Sequence, residues 1–120
     1  MNIKITFTNL PKSPAAEEYV SKKLNSLEKF FKGEEEVLAE VELARTNGRH
    51  KSGEDAYKAE INITYMGRQF YVVSERDDLY AAIDQMRDEA ERAVVSNRKK
   101  YLTTFRRGAS KIKKIIRRFY

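Results

Sequence analysis

The residues with the most obvious chemistry are the lysines and arginines that crowd the far end of the chain. Residues 92–120 contain 11 Lys and Arg and no acid, whereas residues 1–91 contain 13 Lys and Arg together with all 18 acids. Lysine and arginine bind phosphate groups without reading a base sequence. A mildly acidic body with a strongly basic end therefore indicates a polyanion partner: nucleic acid first and an anionic membrane second, with solubility alone as the alternative.

Catalytic chemistry is not indicated. The single histidine, His50, lies between Arg49 and Lys51 in a polar, glycine-containing stretch, and the chain has no cysteine. The sequence therefore offers no nucleophile–base set, no glycine-rich phosphate-binding motif and no thiolate metal site. We therefore expect a protein that is not an enzyme and that uses no cofactor, metal or small-molecule substrate.

Length and hydropathy indicate the broad class of protein. A chain of 120 residues favours one domain that can fold without disulfides or bound metal. No apolar run is long enough to cross a membrane, and the first ten residues lack the pattern of a signal peptide. We expect a cytoplasmic protein without stable membrane insertion.

The elements that would position the basic residues follow from hydrophobic periodicity. Apolar and polar residues alternate in four segments, and this alternation predicts half-buried strands. The predicted strands are residues 2–8, 37–45, 57–65 and 68–75, with a polar loop over Thr46–Asp55 and a tight turn at Met66–Gly67.

Two further segments have apolar residues at helical steps of three and four. The first begins after Ser13, which is a suitable N-cap followed by proline, and Gly33 is expected to end it. The second covers residues 77–101, where Asp77 or Asp78 can cap the first turn. Its acids lie in the first two-thirds, so the basic residues fall at its far end.

The element order β-α-β-β-β-α predicts an α+β fold. A helix between the first two strands favours parallel pairing through a right-handed crossover, and short connections make the last three strands an antiparallel meander. The expected architecture is a four-stranded mixed sheet with two helices packed on one face, and a polar second face.

Three stretches in this order resemble the ribosome hibernation promoting factor family, also called ribosome-associated inhibitors or subunit-interface proteins. They are NIKITFTNL before the Ser-Pro helix start, LNSLEKFF over residues 24–31, and DDLYAAID over residues 77–84, which continues into DEAERAVVSNRKKY. The likeness covers about residues 1–101. It is to the short form of the family, because the long form's linker and second dimerisation domain do not follow in the sequence.

The resemblance implies a function. Family members bind the small ribosomal subunit at the subunit interface, near the decoding region, where they block messenger RNA and transfer RNA. They thereby inhibit translation and preserve idle ribosomes under stress or in stationary phase. The basic side of the two helices is the implied contact with ribosomal RNA (rRNA). The candidate rRNA-binding residues are Lys22, Lys23, Lys29, Arg87, Arg92, Arg98, Lys99, Lys100, Arg106 and Arg107.

The sequence departs from the family pattern at Ser26, Glu89 and Ser96, where members often carry lysine. These departures would move the binding surface toward the C-terminus. We accordingly divide the chain into a ribosome-binding domain over residues 1–105 and a basic amphipathic tail over residues 106–120.

The tail leaves alternatives open. Gly108 is expected to interrupt the helix, and beyond it three isoleucines and Phe119 would share one face of a short helix. Such a segment is expected to gain order on the ribosome, whereas a peripheral membrane protein would use it on an anionic bilayer. A free-standing module for double-stranded RNA is a further alternative.

Base stacking on the sheet, as in an RNA-recognition motif, is the less favoured possibility. Tyr57, Tyr65 and Phe70 are expected in the core under the helices, and Tyr71 alone is expected on the polar face. One exposed tyrosine is too little for a stacking platform.

Overall fold

The computed structural model describes residues 1–31, 36–46 and 56–106, of which residues 97–106 are described as backbone. The predicted α+β order is confirmed, with a short 3₁₀ turn added. The elements are β1 (Asn2–Thr8), α1 (Pro14–Asn25), a 3₁₀ turn (Glu28–Phe30), β2 (Val37–Arg45), β3 (Tyr57–Tyr65), β4 (Arg68–Arg76) and α2 (Leu79–Arg106).

The strands form one mixed sheet in the order β1-β2-β3-β4. The β1–β2 pair is parallel because α1 carries the chain back across the sheet, and the other two pairs are antiparallel. The register places Ile5, Val41, Ile61 and Val72 opposite one another in a single row across all four strands. Successive side chains alternate between the faces. Val41 and Ile61 are buried, so this row lies on the side that the helices cover.

The core lies between the sheet and the two helices. Helix α1 contributes Val20 and Leu24, and α2 contributes Ile83 and Met86, all of them fully buried. Burial of this single apolar layer is the main stabilising term for a chain without cysteine. None of the helices in the described part of the chain is long and apolar enough to cross a membrane.

Side-chain caps fix where both helices begin. The Ser13 hydroxyl accepts a hydrogen bond from the Ala16 amide at 3.2 Å, as predicted. At the start of α2 it is Asp78, rather than Asp77, whose carboxylate accepts from the Ala81 amide at 3.0 Å. Each cap satisfies an amide that has no partner within its helix.

The prediction that Gly33 ends the first helix is wrong, because α1 ends at Asn25. The Ser26 hydroxyl donates to the carbonyl of Lys23 at 2.5 Å, and serine offers the backbone this local alternative to helix. Gly33 itself lies outside the described residues.

The apolar steps beyond α1 belong to the 3₁₀ turn and the residues beside it. Leu27 is fully buried, so the predicted core position is confirmed on a different backbone. Phe31 is half-buried and meets the ring of Tyr65 edge-on, with 4.9 Å between ring centroids. The turn therefore continues the core after the helix has ended.

Two connections hold the meander together. Met66 and Gly67 both have positive φ, 52° and 75°, which is the type I′ geometry that suits a two-residue hairpin between β3 and β4. Between β2 and β3 the Thr46 amide donates to the Ala56 carbonyl at 2.7 Å. The remainder of the predicted Thr46–Asp55 loop lies outside the described residues.

Candidate nucleic-acid interface

A groove between α1 and α2 brings together three of the predicted basic residues. It has a volume of about 410 Å³ and is lined by Tyr19, Lys22, Lys23, Ser26, Arg87 and Asp88. Lys22 and Lys23 come from the last turn of α1, whereas Arg87 comes from α2. The fold thus places cations from distant parts of the sequence on one surface.

Arg87 is held across the groove by bonds to Ser26, the C-cap of α1, and to acids of α2. Its Nε donates to the Ser26 hydroxyl at 2.9 Å, and its Nη1 donates to Glu91 at 2.7 Å and to Asp88 at 3.3 Å. The side chain is 17% exposed. A planar guanidinium with several donors suits this bridging position, and two acids offset its charge locally.

Lys23 belongs to a second cluster that joins the helices. Its Nζ lies 3.2 Å from Asp84 and 5.3 Å from the centroid of the Tyr19 ring, while the Tyr19 hydroxyl donates to the same carboxylate at 2.6 Å. Tyr80 meets Tyr19 edge-on, with 5.0 Å between centroids. Lys23 keeps spare donors, because an ammonium has three.

The Asp84 carboxylate raises the pKa of both titratable partners in this cluster, Tyr19 and Lys23. Its hydrogen bond raises the pKa of Tyr19 above the ordinary value, and burial and the Asp84 charge act in the same direction. The same hydrogen bond and charge raise the pKa of Lys23. At neutral pH Tyr19 is therefore neutral and Lys23 is charged.

Lys22 and Arg92 are the predicted cations that remain uncommitted. Both are exposed, and neither makes an ion pair within residues 1–31, 36–46 and 56–96. Lys29 was expected on the first helix but lies in the 3₁₀ turn, exposed, with its Nζ 5.3 Å from the ring of Phe30. These side chains can reach a phosphate without breaking an ion pair.

The far end of the surface is carried by the backbone of α2. Arg98, Lys99, Lys100 and Arg106 all fall within this helix, which continues beyond the predicted end at residue 101. Arg107 and Gly108 lie outside the described residues.

Sequence reasoning missed the acids that hold the groove. The Arg87–Glu91 pair could have been found, since residues four apart on a helix are neighbours. The contacts of Asp84 with Tyr19 and Lys23 join two different helices, so no local sequence pattern predicts them.

The strand aromatics lie on the predicted faces of the sheet, although Tyr57 does not pack against the described core. Tyr65 is buried, Tyr57 and Phe70 are half-buried, and Tyr71 is 61% exposed on the open face of the sheet. The open face therefore lacks the aromatic rows on which an RNA-recognition motif stacks bases, as far as its described residues go.

Known proteins share both the sequence pattern and the fold. Residues 3–101 match the family described as sigma 54 modulation protein / S30EA ribosomal protein. The ribosome hibernation promoting factor of Azotobacter vinelandii is 26% identical over 102 residues, which cover 85% of this chain and 87% of that protein. The protein of the same name from Klebsiella oxytoca is 26% identical over 100 residues, covering 83% of this chain and 96% of that protein.

Solved structures agree with this assignment. The crystal structure of Thermus thermophilus Protein Y N-terminal domain has a TM-score of 0.64 and 35% identity, covering 78% of this chain and 96% of that one. A ribosomal subunit interface protein from Coxiella burnetii shares the fold, with a TM-score of 0.66 at 19% identity over 82% of this chain and 99% of that one. The resemblance predicted from the sequence is confirmed: the chain belongs to the sigma 54 modulation protein / S30EA ribosomal protein family.

Proposed function

We propose that this chain binds the small ribosomal subunit at the subunit interface, near the decoding region, and there blocks messenger RNA and transfer RNA. Binding would inhibit translation and preserve idle ribosomes under stress or in stationary phase. Family membership supports the proposal, because the two curated relatives are both named ribosome hibernation promoting factors. The protein acts by occupying a site and not by catalysing a reaction.

The surface shared by α1 and α2 is the observation that carries the proposal. Lys22 and Arg92 are exposed on the two helices without an ion pair among the described residues. Arg87 lies in the groove between the helices, where hydrogen bonds fix its position. Folded RNA is recognised largely through its shape and its phosphate backbone, which such an arrangement can contact without reading bases.

The basic end of α2 extends this surface in the proposal. Arg98, Lys99, Lys100 and Arg106 add positive charge along the helix, and Arg107 follows directly. Each phosphate contact releases counterions, so this end would supply strongly salt-dependent affinity. Lys23 and Lys29 complete the candidate surface on the side of α1.

Cosedimentation tests the partner. Purified protein is mixed separately with small ribosomal subunits, with duplex RNA of matched nucleotide content and with anionic lipid vesicles. We expect it to pellet with small subunits, and we expect messenger RNA together with initiator transfer RNA to displace it. Pelleting with vesicles or duplex RNA at equal strength would instead favour a peripheral membrane protein or a general RNA-binding module.

A cell-free translation reaction tests the mechanism. Protein synthesis should fall in proportion to the fraction of small subunits occupied, because the bound protein and the messenger would compete for one cleft. Full translation on ribosomes shown to be occupied would contradict the blocking mechanism while leaving ribosome binding itself intact.

A further inference from the structure

The open face of the sheet, opposite the helices, carries a net negative charge around one groove. A groove of about 370 Å³ on this face is lined by Lys4, Thr6, Glu40, Val41, Glu42, Glu60, Asn62 and Tyr71. The register places Glu42 directly opposite Glu60, and like charges in that position repel each other. Lys58 bridges the two, with its Nζ 3.3 Å from Glu42 and 4.0 Å from Glu60. Lys4 lies opposite Glu40, so two lysines face three glutamates and the groove keeps a net negative charge that favours a further cation.

Exposed apolar side chains border the same groove. Tyr71 is 61% exposed and Val73 is 39% exposed, both on the edge strand β4. The register sets Tyr71 against Asn62 and Val73 against Glu60, so these apolar groups lie beside the acids. We call the surface formed by Glu40, Glu42, Glu60, Tyr71 and Val73 the acidic face. Its composition suits a peptide that carries both cations and apolar side chains.

The end of α2 lies close to this face. Hydrogen bonds from Ser74 to Glu89 and from Arg76 to Gln85, both 3.2 Å, fix α2 antiparallel beside β4. From Glu89 the helix rises about 26 Å to its last described residue, Arg106, at roughly 1.5 Å per residue. From Ser74 the strand covers about 20 Å back to its first residue, at roughly 3.3 Å per residue. The helix therefore ends about one turn beyond the start of β4.

The segment after α2 has the complementary chemistry. Residues 107–120 contain six Lys and Arg and no acid, together with three isoleucines, Phe119 and Tyr120. Fourteen residues can span up to about 46–50 Å. The path around the edge strand is shorter, since layers lie roughly 10 Å apart and Tyr71 is roughly 10 Å along β4 from its start. A short tether also raises the local concentration of such a segment into the millimolar range.

We propose that residues 107–120 dock on the acidic face of their own chain in the free protein. Lysines and arginines of the segment lie against Glu40, Glu42 and Glu60, and its apolar side chains cover Tyr71 and Val73. The contact stands apart from the proposed ribosomal function, since it requires no partner. It competes with phosphate binding, because the same cations serve both contacts.

A spin label tests the contact in the full chain. The sequence has no cysteine, so Ser110→Cys provides a single attachment site for a nitroxide. We expect the label to broaden the amide signals of Glu60, Asn62 and Tyr71, and to leave the signal of Lys22 on the opposite side sharp. Broadening centred on α1, or no localised broadening at all, would overturn the proposal.

Two matched charge variants identify the surface responsible. In the labelled chain, Glu42→Gln with Glu60→Gln should abolish the broadening, because the attraction to the acidic face is lost. Glu18→Gln with Asp88→Asn removes the same charge from the helices and should preserve it. Equal loss in both pairs would show attraction to the net charge alone and would overturn the proposal. The amide spectrum of each variant reports directly whether the fold is intact.

Two further measurements distinguish a second copy and ionic attraction. Spin-labelled protein at natural isotope abundance is mixed with ¹⁵N-enriched protein that carries no spin label. We expect no broadening of the ¹⁵N signals, since the contact lies within one chain. Broadening in this mixture would assign the acidic face to a second copy instead. At about 1 M salt, where charges are screened beyond about 3 Å, the intramolecular broadening should disappear. Its persistence would contradict docking through Lys and Arg.

Discussion

Arg87 and Lys22 line the same groove but differ in their contacts. Arg87 is largely buried and donates hydrogen bonds to Ser26, Asp88 and Glu91. These bonds connect the end of α1 to α2. Lys22 is exposed, and its ammonium has no ion-pair partner in the part of the chain that the structure describes. A basic residue predicted from sequence as a phosphate contact can therefore serve chiefly to position its neighbours.

Removing Lys22 or Arg92 should change the salt dependence of RNA binding. Lys22→Gln or Arg92→Gln should each flatten the slope of log affinity against log salt by about 0.7–0.9, because each removes one phosphate contact. Affinity for ribosomal subunits is measured by filter binding across a salt series. Lys4→Gln, on the open face, serves as the control and should leave the slope unchanged. Unchanged slopes for both helix variants would place the binding site elsewhere.

Tyr19 should titrate at unusually high pH because of Asp84. Its pKa lies above the ordinary 10.0, since the carboxylate bonds the protonated hydroxyl and opposes a second negative charge. Below pH 10 the folded and unfolded chains both keep this proton, so the stabilisation is complete. As the pH rises further the unfolded chain loses the proton first, and stability falls until the folded-state pKa is passed. Lys23 acts with the same sign from about 10.5 upward.

The assignment can be checked by NMR titration of the Tyr19 ring carbon next to the hydroxyl. Asp84→Asn should lower the pKa of Tyr19, because the carboxylate that accepts its hydrogen bond is replaced by a neutral and weaker acceptor. Asp88→Asn, one turn further along α2, is the control and should not shift it. An equal shift in both variants would mean that general charge, and not the hydrogen bond, sets the pKa.

Helix α2 is the element that links the core, the groove and the basic end. It buries Ile83 and Met86 against the sheet, aims Arg87 across to α1, and carries its last basic residues to Arg106. A substitution that destabilises its first turn should therefore lower the free energy of unfolding and also weaken binding by the groove.

The first turn of α2 should be sensitive at Asp78 and much less so at Asp77. Asp78→Ala removes the acceptor for the Ala81 amide and should cost about 0.5–2 kcal/mol of unfolding free energy. Asp77→Ala removes the neighbouring charge but not this bond, and surface changes usually cost within about 0.5 kcal/mol. Urea denaturation compares the two. Equal losses would show that charge at the helix start, and not the cap, is what stabilises it.

Sequence reasoning was accurate where a local pattern has one physical meaning. Strict alternation gave the strands within a residue, and Ser13 gave the start of α1, because burial and capping leave direct marks on the sequence. The end of α1 could not be predicted, because the apolar steps continue past it at Leu27 and on through a 3₁₀ turn of similar period to Phe31. In the groove the cations could be predicted from composition, but the pairing of Asp84 with Tyr19 depends on how two helices are set beside each other.

Acids and cations occur on both sides of the molecule, but the predicted cations without an ion pair among the described residues lie on one side. Glu40, Glu42 and Glu60 lie on the open face of the sheet, whereas the uncommitted Lys22 and Arg92 lie on the helices. A polyanion that approaches the helix side therefore meets cations that no acid of the described residues pairs with.

Deleting residues 106–120 should leave the fold intact and weaken ribosome binding. The buried side chains of the described core all precede this segment, so thermal unfolding should remain cooperative. Binding should weaken because seven positive charges that can contact phosphates are lost. Pelleting with ribosomes and with anionic vesicles is compared for both forms. Unchanged ribosome binding with loss of vesicle binding would assign the tail to a membrane surface.

The hydrogen bond from the Thr46 amide to the Ala56 carbonyl has a consequence for protein engineering. It closes the base of the connection between β2 and β3, so the sheet does not depend on the length of chain that joins them. Doubling such a connection costs only about 0.6 kcal/mol of closure entropy. Residues 47–55 are thus a suitable insertion point for an affinity tag or a fluorescent reporter, because the strands on either side would keep their register.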